Sequence, residues 1–114
     1  VLQATLDELP VSSKSLVAWL GPAIGAKAFE VGPEVLDAFD MSPADDAVTT
    51  SRQKSGHYCL DLNAIATRQL LSAGLHPDAI LGGDHCSYSN PERFFSHRRD
   101  GVTGRMATLV WLTD

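Results

Sequence analysis

The C-terminal third of the sequence contains four arginines, although the whole chain has a formal net charge of −5. Arg98 and Arg99 are adjacent, Phe95 lies just before them, and Arg105 follows a glycine. A guanidinium group is a planar fork that binds carboxylate or phosphate through two parallel hydrogen bonds, so this segment predicts contact with a small anion. Phe95 could border a ring-shaped substrate. The alternative is an internal network in which these arginines hold residues 1–46, which carry eight acidic residues and two lysines.

Turn-forming residues enclose this arginine segment. An Asn-Pro pair precedes it and two glycines follow it, so residues 94–100 are predicted to form a constrained segment between two turns. On an extended segment, successive side chains point in opposite directions. Arg98 and Arg99 are therefore predicted to have different roles, one facing the substrate and one facing the body of the domain.

An apolar run closes the sequence. Residues 107–112 are rich in β-branched and aromatic side chains and lie between turn residues and a polar end. This pattern predicts a buried strand, with Trp111 as a core residue.

Two cysteines and two histidines could support a second kind of chemistry. His57 with Cys59, and His85 with Cys86, have the side-chain types that bind zinc. Their spacing argues against a zinc site, because neighbours in an extended chain point to opposite sides. Cys86 could instead be a nucleophile, if His97 or the arginines lowered the pKa of its thiol, or a small buried side chain at the end of a strand. A disulfide is not favoured.

Composition limits the classes of protein that the chain can represent. Its 114 residues, 44% of them hydrophobic, are typical of a single globular domain. No apolar run is long enough to cross a membrane. The negative net charge argues against nucleic acid and anionic membranes as partners. Two cysteines are too few for a disulfide framework, so a cytoplasmic location is expected.

Hydrophobic periodicity predicts alternating helices and strands. Asp61 is predicted to cap a helix, although a catalytic carboxylate is the alternative, and Gly74 to follow its end. Residues 41–55 are predicted to form a mobile surface loop. The order of the predicted helices and strands favours an α/β or α+β layered domain with a mixed sheet and flanking helices. The predicted helices are residues 1–9, 33–39 and 61–73, the predicted strands are 16–20, 28–31 and 79–81, and residues 57–60 are a short extended entry to the last helix.

Several motifs resemble the YfiH family, also called the laccase-domain or multicopper polyphenol oxidoreductase family. They occur in the family's order over essentially the whole chain, and His97 stands where a tyrosine is common. In this sequence they read Leu-Gly-Pro-Ala-Ile-Gly at 20–25, Phe-Glu-Val-Gly-Pro-Glu-Val at 29–35, Leu-Asp-Leu at 60–62, Cys-Ser-Tyr at 86–88, Phe-Phe-Ser-His-Arg-Arg-Asp at 94–100 and Thr-Gly-Arg at 103–105.

The resemblance implies that residues 1–114 are a single-domain fragment, the C-terminal half of a YfiH-type domain with a YfiH-like fold of the cysteine-hydrolase type. The family builds its metal and catalytic centre from Val-His-Gly, Thr-Ala-Asp-Cys and His-Ala-Gly-Trp-Arg-Gly motifs, and this sequence contains none of them. The chain also opens inside a predicted helix, as if what preceded it were missing. No catalytic residue and no metal ligand is therefore expected in this chain, and Cys86 is not the family's site cysteine.

The resemblance also implies an activity for the full-length parent. It would be a zinc-dependent purine nucleoside enzyme that performs phosphorolysis of adenosine, inosine and methylthioadenosine, and adenosine deamination. Arg98, Arg99, Phe95 and Arg105 would share in binding nucleoside and phosphate. The alternatives are a copper-dependent polyphenol oxidase and a non-catalytic scaffold fragment. This fragment alone is expected to bind no metal and to be inactive.

Overall fold

Two small β-sheets and four α-helices make up the computed structural model, which describes residues 1–111 and 113. The α/β layered class predicted from the sequence is confirmed, with the parallel and antiparallel strands divided between two sheets. In chain order the elements are α1 (Leu2–Glu8), β1 (Ala18–Leu20), β2 (Glu30–Val31), α2 (Pro33–Ala38), β3 (Val48–Thr50), β4 (Tyr58–Leu60), α3 (Leu62–Ser72), β5 (Ile80–Gly82) and α4 (His97–Asp100), with 3₁₀ turns at Ser13–Ser15 and Pro77–Ala79.

The antiparallel sheet, in the order β2-β4-β3, carries the hydrophobic core on one face. Leu60 of β4 is fully buried, and it packs with Val48 of β3, Leu36 of α2 and Ile65 of α3. Because side chains alternate along a strand, Cys59 and its cross-strand partners must point away from this core. The sheet therefore has a buried apolar face and a second face that is free to line a surface.

Local sequence explains where the helices begin. Pro33 starts α2, where its missing N–H costs no hydrogen bond. The carboxylate of Asp61 accepts a hydrogen bond of 3.0 Å from the backbone N–H of Ala64, so the predicted cap of α3 is confirmed. Leu70 of this helix is buried, and α1 packs against the same helix.

The second sheet pairs β1 with β5 in parallel, with Ala18 opposite Ile80. The pairing continues beyond the strands as a bridge between Ala23 and Cys86. The glycine-rich turn after β1 therefore lies against the loop after β5. Trp19 of β1 is 55% exposed, so this sheet, unlike the antiparallel one, has an uncovered face.

Residues 41–55 were predicted to be a mobile surface loop, and that prediction is wrong for residues 47–50. The segment contains β3, and its Ala47 and Val48 are buried in the core. Two hydrogen bonds fix its start: the Asp45 carboxylate accepts from the N–H of Ala47, and the N–H of Asp61 donates to the Ala47 carbonyl. Of the polar residues in this segment, Thr49 and Thr50 belong to β3, and the others lie in the turns before and after it.

The predicted C-terminal strand is also wrong for residues 107–111, and Leu112 lies outside the described residues. Residues 103–111 have no regular secondary structure, and Trp111 is 75% exposed, so it is not a core residue. A strand needs a neighbour whose backbone groups pair with its own. Within the described residues, the backbone of 105–111 forms no hydrogen bond with any other segment.

Among the helices of residues 1–111 and 113, none is long and apolar enough to cross a membrane.

Candidate functional site

The arginine segment forms a short helix, α4, rather than the extended segment used to predict the different roles of its arginines. The N–H of Asp100 donates to the Ser96 carbonyl, and that of Gly101 donates to the His97 carbonyl. A turn that begins at Asn90 precedes the helix, so the prediction of a constrained segment is confirmed. On a helix, adjacent side chains are separated by about 100° of rotation, and Arg98 and Arg99 still diverge.

Arg99 binds three backbone carbonyls. Its guanidinium donates to the carbonyls of Ser87 at 2.8 Å, Tyr88 at 3.0 Å and Phe94 at 3.0 Å. The guanidinium also donates two hydrogen bonds of 2.7 Å to the Asp100 carboxylate. The Arg99 side chain is only 19% exposed. These hydrogen bonds and the opposite charge lower the pKa of Asp100 and raise that of Arg99. Arg99 thus ties the loop of Ser87 and Tyr88 to α4.

Arg98 reaches the antiparallel sheet instead. Its guanidinium donates to the Glu30 carbonyl at 2.7 Å and lies 5.4 Å from the centre of the Phe29 ring. A cation over an aromatic face adds attraction to the hydrogen bond. Arg98 therefore holds the start of β2, and its exposed position leaves part of the guanidinium open to solvent.

Phe95 and Arg105 are exposed beside this helix. Phe95 is 53% exposed, and its ring lies so close to Gly104 that an added Cβ there would come within 2.7 Å of it. Arg105 donates to the carbonyls of Thr103 and Gly104, which belong to its own turn. The structure thus places Phe95, Arg98 and Arg105 at the surface and Arg99 largely inside the protein, and their role in substrate binding stays a prediction.

Two acidic side chains of the first half pair with a different arginine. Arg68 of α3 forms a two-pronged ion pair with Asp45, with nitrogen-to-oxygen distances of 2.8 and 2.9 Å, and lies 3.4 Å from Asp46. The hydrogen bonds from Arg68 and from the Ala47 N–H lower the pKa of Asp45 strongly. Sequence reasoning missed this pair because the partners lie far apart in the chain.

Both cysteines are free thiols in contrasting surroundings. Burial, and then the charge of Glu30, raises the pKa of Cys59. Burial acts in the same direction on Cys86, but hydrogen bonds to its sulfur from Ser89, Gly25 and Tyr88 outweigh it and lower the pKa of that thiol. The N–H of Gly25 lies 3.1 Å from the Cys86 sulfur. Cys86 is half-buried and accepts hydrogen bonds, so it is more than a small apolar side chain.

No group of three or more histidine, cysteine, aspartate or glutamate residues that could hold a metal ion exists among residues 1–111 and 113. The four residues considered as zinc ligands from their types belong to separate elements. His57 directly precedes β4 and Cys59 lies within it, while His85 and Cys86 lie in the loop after β5. The His85 ring packs 5.5 Å from the ring of Phe94, centre to centre. These four residues therefore do not form a zinc or copper centre with one another within the part of the chain that the structure describes.

A cavity of about 680 Å³ lies on the outer face of the antiparallel sheet. Its floor is a row of three residues in register across the strands, Glu30 of β2, Cys59 of β4 and Thr49 of β3. One wall includes Tyr88 and Ser89, from the loop that Arg99 holds. The remaining lining residues are Ala26, Lys27, Ala28, Thr50, Ser51, Arg52 and Gln53.

None of the four predicted binding residues lines this cavity, and two of them, Arg98 and Arg99, support it. Arg98 holds the backbone of Glu30 on the floor, and Arg99 holds the backbone of Tyr88 in the wall. Two sequence patterns pointed to the floor: the alternation of apolar and polar residues at 28–31 and the extended segment predicted at 57–60. The contribution of β3 could not be found, since that segment was predicted to be a loop.

The family described as multi-copper polyphenol oxidoreductase laccase matches residues 1–113 of the chain. A protein of Xylella fastidiosa named purine nucleoside phosphorylase is 46% identical over 98% of this chain, which covers 43% of that protein. An Escherichia coli protein named purine nucleoside phosphorylase YfiH is 43% identical over 98% of this chain, which covers 45% of that protein. The chain thus spans less than half the length of these curated relatives.

Solved structures agree with this match. A crystal structure of a Neisseria meningitidis protein superposes with a TM-score of 0.76 at 41% identity, over 88% of this chain and 40% of that chain. The crystal structure of a Bacillus licheniformis hypothetical protein YfiH gives a TM-score of 0.76 at 28% identity, over 88% of this chain and 39% of that chain. The fold of the described residues is therefore one that occurs within a larger chain.

Proposed function

Because the chain belongs to the multi-copper polyphenol oxidoreductase laccase family, we propose that it is the C-terminal half of an enzyme that performs phosphorolysis of purine nucleosides. The observation that carries this proposal is the 46% identity, over nearly the whole chain, to a protein named purine nucleoside phosphorylase. The proposed substrates are adenosine, inosine and methylthioadenosine, with inorganic phosphate as the second substrate. Adenosine deamination is proposed as a second reaction of the same cytoplasmic enzyme.

The metal of the proposed enzyme is zinc, with copper as the alternative, and its ligands lie in the half that this chain lacks. Among residues 1–111 and 113, no cluster of three or more possible ligands exists. A catalytic zinc normally needs three protein ligands held by further hydrogen bonds. The isolated chain is accordingly proposed to be inactive.

The role proposed for this half is to position a loop near the substrate and to contact the substrate directly. Arg99 fixes a loop through three carbonyls, while Phe95, Arg98 and Arg105 expose side-chain surface beside it. Exposed guanidinium groups next to an aromatic ring are suited to phosphate and to a purine ring. We propose these four residues as the substrate-binding residues of this half.

Two experiments test the proposal. The full-length protein is incubated with adenosine, with and without inorganic phosphate, and the products are separated: adenine and ribose 1-phosphate are expected only with phosphate, and inosine in either case. The isolated 114 residues are assayed in the same way and analysed for metal. Stoichiometric zinc together with turnover in the isolated chain would show that the active site has been assigned to the wrong half.

A copper-dependent polyphenol oxidase is the second candidate, favoured by the family's description. It predicts oxygen consumption with phenols by the copper-loaded full-length protein and no phosphate-dependent cleavage of nucleosides. A protein that does neither would be a scaffold, and an intact-mass measurement of the natural protein establishes which chain length to assay.

A further inference from the structure

The cavity over the antiparallel sheet has a charge opposite to that of the chain. Lys27 and Arg52 both line it, and among the described lining residues Glu30 is the one carboxylate. The chain as a whole has a net charge of −5, so two cations at one cavity are a local concentration of positive charge. Such a pair favours a ligand with a phosphate group, which needs cationic partners when it leaves water.

Glu30 is positioned to bind neutral hydroxyl groups beside that phosphate. Its Oε2 accepts a hydrogen bond from the Ser51 hydroxyl, and Arg98 holds its backbone carbonyl. Its Oε1 accepts no hydrogen bond from the described residues. A carboxylate fixed in this way is a strong acceptor for the hydroxyls of a sugar. A ligand that consisted of phosphate alone would meet the negative charge of Glu30 without the compensating hydroxyl contacts.

The remaining lining suits a small polyol. Thr49, Ser51 and Ser89 supply hydroxyl groups, and Tyr88, a residue that is 38% exposed, supplies an aromatic ring. The volume of about 680 Å³ lies within the range of about 300 to 1,000 Å³ that small-molecule sites occupy. The cavity therefore combines two cations, one fixed carboxylate and several hydroxyls in a space of ligand size.

We infer that this cavity binds a sugar phosphate, with Lys27 and Arg52 contacting the phosphate and Glu30 accepting from the sugar hydroxyls. The inference rests on the proposed function, because phosphorolysis of a nucleoside releases a pentose 1-phosphate. It goes beyond that function in assigning the released product to a second site on the outer face of the sheet, apart from the surface of Phe95, Arg98 and Arg105 that is proposed to contact the substrates.

Cys59 on the cavity floor makes the inference testable without an activity assay. The full-length protein is treated with iodoacetamide at alkaline pH, because burial raises the pKa of this thiol, and alkylation is followed by mass spectrometry of the Cys59 peptide. Ribose 1-phosphate, inorganic phosphate and ribose are added separately. A ligand that covers the thiol slows its alkylation about elevenfold at ten times the dissociation constant. Cys86, which does not line the cavity, is the internal control.

Variants separate the two kinds of contact. Lys27→Gln and Arg52→Gln are expected to weaken protection by ribose 1-phosphate, whereas Lys54→Gln, at a neighbouring lysine outside the lining, is the matched control. Glu30→Gln is expected to weaken protection by ribose 1-phosphate and to leave any protection by inorganic phosphate equal or stronger. This difference in direction distinguishes a sugar phosphate site from a phosphate site.

The inference is supported if ribose 1-phosphate protects Cys59, and not Cys86, at lower concentration than phosphate or ribose. Equal protection by inorganic phosphate, or equal slowing of both cysteines, would overturn it. If the enzyme cleaves nucleosides but Cys59 is not protected, the cavity assignment fails while the proposed function stands. Protection without cleavage would support the cavity site and count against phosphorolysis.

Discussion

Replacing Gly82 by alanine tests how tightly the parallel sheet is built. Gly82 ends β5 with φ of 82°, a left-handed conformation that residues with a Cβ rarely adopt. An added Cβ would lie 2.4 Å from the carbonyl oxygen of Leu20 and 2.9 Å from Nε1 of Trp19. Because Leu20 is the strand partner of Gly82, the new methyl group must push β1 and β5 apart.

Gly56 is the matched control for this substitution. Its φ is 73°, and nothing lies within 4 Å of the Cβ that alanine would add. Gly56→Ala should therefore cost only the backbone strain, about 1 to 2 kcal/mol. Gly82→Ala has that cost and also disrupts the 2.8 Å hydrogen bond from Gly83 to Leu20. We expect a total of about 3 kcal/mol or more for this variant.

Guanidinium unfolding of the full-length variants, followed by circular dichroism, measures the difference directly. Both substitutions reduce the conformational freedom of the unfolded chain equally, so this effect cancels in the comparison. Gly82→Ala is expected to lose about 1 to 2 kcal/mol more than Gly56→Ala. Equal losses would refute the parallel pairing at Leu20 and Gly82.

Three further predictions concern stability. Arg99→Ala should lower the midpoint of unfolding more than Arg98→Ala, because it leaves three carbonyls without a partner rather than one; the reverse order in denaturant titrations would contradict these contacts. Asp61→Ala should cost about 1 kcal/mol and Asp61→Asn much less, since asparagine can still cap α3, and equal losses would argue against a capping role. Arg68 lowers the pKa of Asp45, so the ion pair should stabilise the fold above the ordinary pKa of 3.8. This stabilisation should be lost as the pH falls below 3.8 towards the lowered pKa of Asp45. Unfolding measured as a function of pH should therefore show a smaller loss of stability below pH 3.8 for Arg68→Gln than for the unchanged protein.

The sequence could predict features that depend on neighbouring residues. The cap at Asp61, the start of α2 at Pro33 and the helix that ends before Gly74 all follow from local chemistry, and the structure confirms them. The alternation that predicted a strand around Glu30 was correct for the same reason. Each of these features is decided within a few residues of chain.

Features that depend on distant partners could not be predicted. Residues 107–111 have the composition of a strand, but a strand forms only where a neighbour supplies backbone groups. Arg68 and Asp45 are 23 residues apart, and no local pattern links them. The cavity floor needs three strands in register, one of which lies in a polar segment that resembles a loop.

The parallel pairing of β1 with β5 has a consequence for the order of folding. Ala18 and Ile80 are partners, so the antiparallel sheet, α2 and α3 all lie in the chain between them. Pairing over such a long loop is slow and entropically costly until the intervening chain is compact. The antiparallel sheet and its core should therefore form first, and the parallel strands should join late. Substitutions at β1 and β5 should then speed unfolding while leaving the folding rate nearly unchanged.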